Sequence, residues 1–140
     1  MADQPIPRGI IDTSVVIDLE HVAAGDLARE LAVSAVTLAE LAAGPHATAD
    51  PQERARRQDR LQRAEATFEP LPVDANVARA YGRVYAAVSG AGRKARGARS
   101  LDLLIAATAL ASNLPLYTRN PNDFRGTESL IEIVAVAPAV

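Results

Sequence analysis

The chain has no cysteine. Disulfides, thiolate metal sites and cysteine nucleophiles are therefore excluded, and the redox compartment is left open. Long hydrophobic runs are also missing. The apolar segment Leu103 to Leu110 is interrupted by Thr108 and bounded by Asp102, well short of the roughly 20 residues that span a bilayer. No membrane association is expected. The first residues, MADQPIPRG, lack a basic segment followed by an apolar core. That reads against a secretory signal and allows a cytoplasmic setting. Positive charge is not in excess, since the formal net charge is -2. This argues against a general nucleic-acid coat protein, although not against an enzyme that touches a few phosphates. His21 and His46 share no metal-ligand spacing and are expected at the surface. Residues 90 to 97 lack the Lys-Ser or Lys-Thr ending of a phosphate loop, so nucleotide hydrolysis is not suggested.

What is present is a chain of 140 residues with alternating strand and helix patterns. The length suits one domain that buries roughly two-thirds of its unfolded surface. Residues 1–7, polar and holding two prolines, read as a flexible N-terminal tail, and 8–137 as the domain. Gly9-Ile10-Ile11-Asp12 reads as a buried parallel strand ending in an acid, with Thr13 and Ser14 placed to cap a helix from Val15 to Leu19. Residues 25–31 have a helical pattern in Leu27, Ala28 and Leu31. Residues 32–36 form the next strand candidate, followed by a short helix that stops near Gly44-Pro45. Residues 52–66 read as a charged helix, with Arg54 and Arg57 on a solvated face. Phe68 to Leu71 suggests a strand. Asp74 is placed to cap a helix to about Val88, in which Val77, Ala80, Tyr81, Val84 and Val88 fall at helical intervals. Tyr81 and Tyr85 share one face and read as packing residues. Ser89 to Ala98 reads as a glycine-rich basic loop, Ser100 as the cap of an apolar helix from Leu101 to Ala111, and Pro115–Thr118 and Leu130–Val136 as strands. Alternation of this kind indicates an α/β fold, a mostly parallel sheet flanked by helices.

Four acids stand beyond strands: Asp12, Glu40, Asp102 and Asp123. Each has a local explanation. Asp12 could cap the next helix. Thr37-Leu38-Ala39-Glu40 fits a capping box. Asp102 would be favoured by the dipole of a first helical turn. Asn120-Pro121-Asn122-Asp123 reads as cap, first-turn proline and third-position acid. Their common placement still matters, because ligands bind at the carboxyl ends of strands in open α/β sheets. Four carboxylates gathered there would repel one another and raise one another's pKa values. A divalent cation with oxygen ligands, Mg²⁺ or Mn²⁺, removes that cost. Such ions can activate water and hold a phosphodiester during in-line attack.

Ordered motifs carry a family resemblance. Ile10-Ile11-Asp12-Thr13-Ser14-Val15-Val16-Ile17 resembles the opening motif of PIN domains, and Ser34-Ala35-Val36-Thr37-Leu38-Ala39-Glu40-Leu41 the second. Leu101-Asp102-Leu103-Leu104-Ile105-Ala106-Ala107-Thr108-Ala109 resembles the third, and Leu116-Tyr117-Thr118-Arg119-Asn120-Pro121-Asn122-Asp123-Phe124 the fourth. The resemblance spans 9–136 and, through chain size and the Ile-Ala-Ala-Thr-Ala-Leu run, is closest in kind to VapC-type toxins of bacterial toxin–antitoxin pairs. It implies a three-layer PIN-like fold and an endoribonuclease dependent on Mg²⁺ or Mn²⁺ that cuts tRNA or ribosomal RNA and arrests translation. It implies a homodimer, a cognate VapB-type antitoxin and a higher toxin–antitoxin complex. By position, Asp12, Glu40, Asp102 and Asp123 take the metal-binding and catalytic roles. Thr13 matches the hydroxyl beside the first acid, and Thr118 and Asn120 the polar pair before the last.

Arg93, Lys94, Arg96 and Arg99 form a basic cluster without an acid between them. They either contact RNA phosphates or form a solvated loop. Two rivals to the ribonuclease reading are a non-catalytic binding protein and a metal-dependent DNase or phosphatase with the same acidic pocket.

Overall fold

The computed structural model describes residues 7–93, 97 and 99–137. The expected tail, apart from Pro7, lies outside the described residues, as do Lys94 and Arg96 of the basic cluster. The centre of the fold is β1 (Arg8–Ile11). Its two isoleucines are adjacent, fully buried and point to opposite faces, as a period-two strand requires. Ile10 joins one core with Val84, Val88, Leu103 and Ala106. Ile11 joins another with Val15, Val33, Leu41 and Ala64. Each burial stabilises the fold by about 1.5–3 kcal/mol. Two cores on one sheet make three layers.

The sheet is entirely parallel, in the order β2-β1-β3-β4. Here β2 is Glu30–Ala32, β3 Leu116–Thr118 and β4 Ile133–Ala135. Helices α1 (Thr13–Ile17), α2 (Ala35–Ala43) and α3 (Pro51–Thr67) follow β1 and β2, and α4 (Ala75–Gly90) and α5 (Arg99–Ser112) precede β3. A 3₁₀ turn, Pro121–Phe124, joins β3 to the approach to β4. The mostly parallel α/β fold expected from the alternation is what the structure holds. Helix α5 ends on Asn113 at a φ of 54°. The Leu114 amide donates to the Ala109 carbonyl and the Asn113 amide to that of Leu110, which closes the helix as a left-handed cap does.

Several local expectations change. The helical pattern at 25–31 resolves into a 3₁₀ turn at Ala24–Asp26 and then β2. Pairing of Arg8, Gly9 and Ile10 with Glu30, Leu31 and Ala32 overrides the local spacing. Strand residues 32–36 are likewise displaced. Ser34 leaves the strand and caps α2, accepting from the Val36 amide at 3.0 Å. The 68–71 strand shrinks to a single bridge between Leu71 and Ser34. Helix α5 starts at Arg99, so Ser100 lies inside it rather than capping it. The last strand covers only Ile133–Ala135, because Leu130 and Ile131 belong to the turn closed by Thr127. Asp74 caps α4 as expected, through the Val77 amide.

Arg54 and Arg57 are not merely a solvated face. Arg54 donates to the Pro45 and Thr48 carbonyls at 3.1 and 2.9 Å, and Arg57 to the Gly44 carbonyl at 2.9 Å. They pin the turn that ends α2. Tyr81 and Tyr85 pack against the core with ring centroids 6.2 Å apart. His21 and His46 are exposed, as expected.

Candidate active site

Asp12 is the first residue beyond β1 and is buried, at 5% exposure. It caps α1, as its own local explanation anticipated, in place of Thr13 and Ser14. Its Oδ1 accepts from the Val15 amide at 3.2 Å and from the Ser14 hydroxyl at 2.5 Å. Its Oδ2 accepts from Thr118 Oγ1 at 2.6 Å. Burial pushes the Asp12 pKa up, and the Ser14, Thr118 and Val15 hydrogen bonds pull against that rise.

Glu40 sits in the second turn of α2, past the reach of a cap. The expected capping box is absent: Ser34 is the cap, and Thr37 is fully buried inside the helix. The Glu40 carboxylate instead accepts from Thr13 Oγ1 at 2.6 Å, and Thr13 lies 3.1 Å from Thr37 Oγ1. Two elements that are distant in sequence therefore aim this acid.

Asp102 lies in the first turn of α5. Its pKa is pushed up to about 6. Burial is the largest cause, followed by repulsion from Asp123, Glu40 and Asp12, with Arg99 opposing. All three other acids thus act on this one carboxylate. Asp123 stands in the 3₁₀ turn after β3, where its amide donates to the Asn120 carbonyl at 3.0 Å. Asn120 makes no side-chain cap; its amide donates to Thr118 Oγ1 at 2.9 Å, which secures the hydroxyl that holds Asp12.

The described half of the basic cluster reaches the same turn. Arg93 donates to the Asn122 carbonyl at 2.9 Å and Arg99 to the Asp123 carbonyl at 3.1 Å. A groove of about 280 Å³ between α1 and α3, lined by Val16, Ile17, Leu19, Arg60, Arg63 and Phe68 among others, contains none of the four acids.

Among the described residues, no three acids or histidines form a preassembled metal cage. The arrangement still fits a hard cation. Its donors are all carboxylate oxygens that repel one another, and Mg²⁺ keeps several waters and takes only one or two protein carboxylates.

The family model for the PIN domain matches residues 10–129, a span that holds all four acids. Ribonuclease VapC5 of Mycobacterium tuberculosis (strain ATCC 25618 / H37Rv) is 37% identical over 133 residues, 91% of this chain and 95% of that one. The chain is a VapC-type ribonuclease of the PIN-domain family. A crystal structure of VapBC-5, a member of the VapBC family of toxin-antitoxin systems from the same organism, has a TM-score of 0.82 and 35% identity, covering 94% of this chain and 100% of that one. VapBC2 from Rickettsia felis, solved bound to a DNA fragment from its promoter, has a TM-score of 0.72 at 20% identity, covering 93% and 99%. At that identity it speaks for the PIN fold alone.

Two groups near the acids escaped the sequence reading of this VapC-type chain. Ser14 was placed only as a cap, yet it bonds Asp12 and accepts from the Arg119 amide at 3.1 Å. Arg119 also forms an ion pair with Asp18, and its Nε is buried without a partner. A hydroxyl two residues after a strand-end acid was the available signal for Ser14. None existed for the Arg119–Asp18 pair, which is 101 positions apart.

Proposed function

We propose that this VapC-type ribonuclease is the toxin of a toxin–antitoxin pair, a Mg²⁺- or Mn²⁺-dependent endoribonuclease that cuts tRNA or ribosomal RNA and so inhibits translation in the cytoplasm. The observation that carries the reading is the gathering of the acids at the carboxyl end of the sheet: Thr118, at the end of β3, holds Asp12, Thr13 beside Asp12 holds Glu40, and the charges of Asp123, Glu40 and Asp12 help to raise the Asp102 pKa. Asp12 and Asp102 would be the main ligands of the cation. Glu40 and Asp123 would take a second ion, bind through water, or orient the attacking water. When bound, such an ion supplies Lewis-acid polarisation of the phosphodiester and a nucleophile at neutral pH.

The chain's own residues do the positioning. Thr118, Ser14 and the Val15 amide fix both oxygens of Asp12, and Thr13 fixes Glu40. Arg93 and Arg99, which hold the Asp123 turn, would also meet RNA phosphates; Lys94 and Arg96 extend the same basic stretch in sequence. The proposed partner is a VapB-type antitoxin that covers the acid site, with a homodimer as the toxin unit. The likeness to VapBC-5, named as a member of a toxin-antitoxin family, supports an antitoxin partner. Among the described residues no helix is long and apolar enough to cross a membrane.

The test is incubation of purified protein with tRNA, ribosomal RNA and DNA, each with Mg²⁺, Mn²⁺ or EDTA. Cleavage of RNA that EDTA stops and Asp12→Asn abolishes is expected. Preferential DNA cleavage, or full RNA cleavage by folded, metal-saturated Asp12→Asn protein, would sink the reading.

A further inference from the structure

Among the described residues the buried polar side chains are Asp12, Ser34, Thr37, Thr108, Thr118 and Thr127. Thr118 holds Asp12, Thr37 touches the hydroxyl that holds Glu40, and Thr127 closes the turn that carries Asp123 by donating to the Phe124 carbonyl. Ser34 and Thr108 touch no acid. Their hydroxyl oxygens lie 3.1 Å apart, and both residues are fully buried. They sit where α2 and α5 share an aliphatic core that includes Val36, Leu103 and Ile105.

The bonding direction follows from proton counting. Each hydroxyl has one proton. Thr108 Oγ1 gives its proton to the Leu104 carbonyl at 2.8 Å, so Ser34 donates to Thr108. Ser34 Oγ in turn accepts from the Val36 amide. Each hydroxyl donates once and accepts once, and the cap of α2 is tied to α5.

The pair's place along the helices gives it a consequence. Glu40 lies six residues after Ser34, and Asp102 six residues before Thr108. At 1.5 Å per residue both acids stand about 9 Å from the pair along their helices. Glu40 acts on Asp102 at one end while Ser34 touches Thr108 at the other. The helices therefore run antiparallel, with the hydroxyl pair at one end of the contact and the two carboxylates at the other. Aliphatic packing between α2 and α5 resists sliding but is non-directional. A directional bond between two dry hydroxyls selects one register, because any slide leaves a buried donor unmet.

We propose that Ser34 and Thr108 are positioning residues that set the spacing between Glu40 and Asp102, and through it the affinity of the acid site for its divalent cation. The inference rests on the reading of the four acids as a cation site. Groups that hydrogen-bond a metal ligand directly change affinity roughly 10–100-fold when lost; Ser34 and Thr108 act at one remove, so the low end of that range is the most they are expected to give.

The experiment titrates Mn²⁺ into the full chain by calorimetry and measures RNA cleavage in parallel. The variants are Thr108→Val, which removes the hydroxyl at constant volume, Thr108→Ser, which keeps it, and Asp102→Asn. Thr108→Val is expected to bind Mn²⁺ up to roughly tenfold more weakly, with kcat reduced and KM for RNA unchanged, and Thr108→Ser to match the parent chain. A folded Thr108→Val protein with parental Mn²⁺ affinity overturns the proposal. So does a Thr108→Ser protein as impaired as Thr108→Val, which would assign the effect to packing. If Thr108→Val does not fold, Ser34→Gly is measured in its place, and loss of the fold there too overturns the spacer role in favour of a folding requirement. Parental Mn²⁺ affinity in Asp102→Asn would instead refute the cation site itself, whatever Thr108 does.

Discussion

Thr118 Oγ1 donates a 2.6 Å hydrogen bond to Asp12 Oδ2 across 106 positions of sequence, at the ends of paired parallel strands. The bond is buried, and its acceptor is an acid whose burial opposes ionisation. Thr118 therefore both aims Asp12 and helps keep it charged. Thr118→Val should lower folding stability by about 1–3 kcal/mol, since it removes a hydrogen bond to a charged, desolvated group. Cleavage should fall with it, although less than in Asp12→Asn, which should abolish cleavage in a folded chain. Denaturant unfolding and single-turnover RNA cleavage on the two variants check both effects. Stability and cleavage unchanged in Thr118→Val would show that the bond contributes nothing.

The Asp102 carboxyl should make metal-free stability fall as pH rises. Its folded-state pKa is about 6 against an ordinary 3.8. Between those values the folded chain keeps the proton that the unfolded chain has lost, so stability drops through this window and levels off above it. Asp12, also raised, pulls in the same direction. Asp102→Asn should flatten this part of the profile, and Mg²⁺ or Mn²⁺ should stabilise the parent chain most above pH 6, where the acids are charged and repel. Thermal melts from pH 4.5 to 8, with and without metal, decide the matter. A metal-free parent that becomes more stable through that window relative to Asp102→Asn contradicts the sign.

Thr13 offers a separate test of how Glu40 is held. Its hydroxyl donates to Glu40 at 2.6 Å from a different helix. Thr13→Val should free the Glu40 side chain, lowering kcat while leaving KM for RNA nearly unchanged. Thr13→Ser should restore the rate, since only the hydroxyl is required. An equal loss in the Ser variant would transfer the effect to the methyl group and its packing.

Much of this was legible in the sequence, for identifiable reasons. Asp12, Asp102 and Asp123 stand where short-range signals place them: after a near-continuous apolar run, at the head of an apolar helix, and behind an Asn-Pro pair. The buried β1 and the cap at Asp74 were readable in the same way. Glu40 had a competing local explanation, which the structure removes. A Thr and a Glu three apart look like a capping box, while the actual cap, Ser34, lies three residues earlier. The 25–31 segment failed because helical spacing over seven residues is thin support, and pairing with β1 decided its state. Ser34 touching Thr108, 74 positions away, and Arg119 reaching Asp18 had no local trace. Such contacts exist only once the chain has folded.

The basic cluster gives the final prediction. Arg93 and Arg99 donate to the carbonyls of Asn122 and Asp123, so each already has a structural partner. One carbonyl neutralises no charge, and both guanidiniums stay at the turn that carries Asp123 with donors to spare. If RNA phosphates meet them, Arg93→Gln and Arg99→Gln should each weaken RNA binding and reduce the slope of log affinity against log salt by about 0.7 per lost single-strand phosphate contact. Arg99→Gln should also disturb the Asp123 turn and lower cleavage beyond its effect on binding. Arg93→Gln, bonded to Asn122 instead, should change binding more than the chemical step. Filter binding from 50 to 300 mM salt, using Asp12→Asn protein to prevent cleavage, separates the roles. An unchanged slope in both variants would confine these arginines to holding the turn.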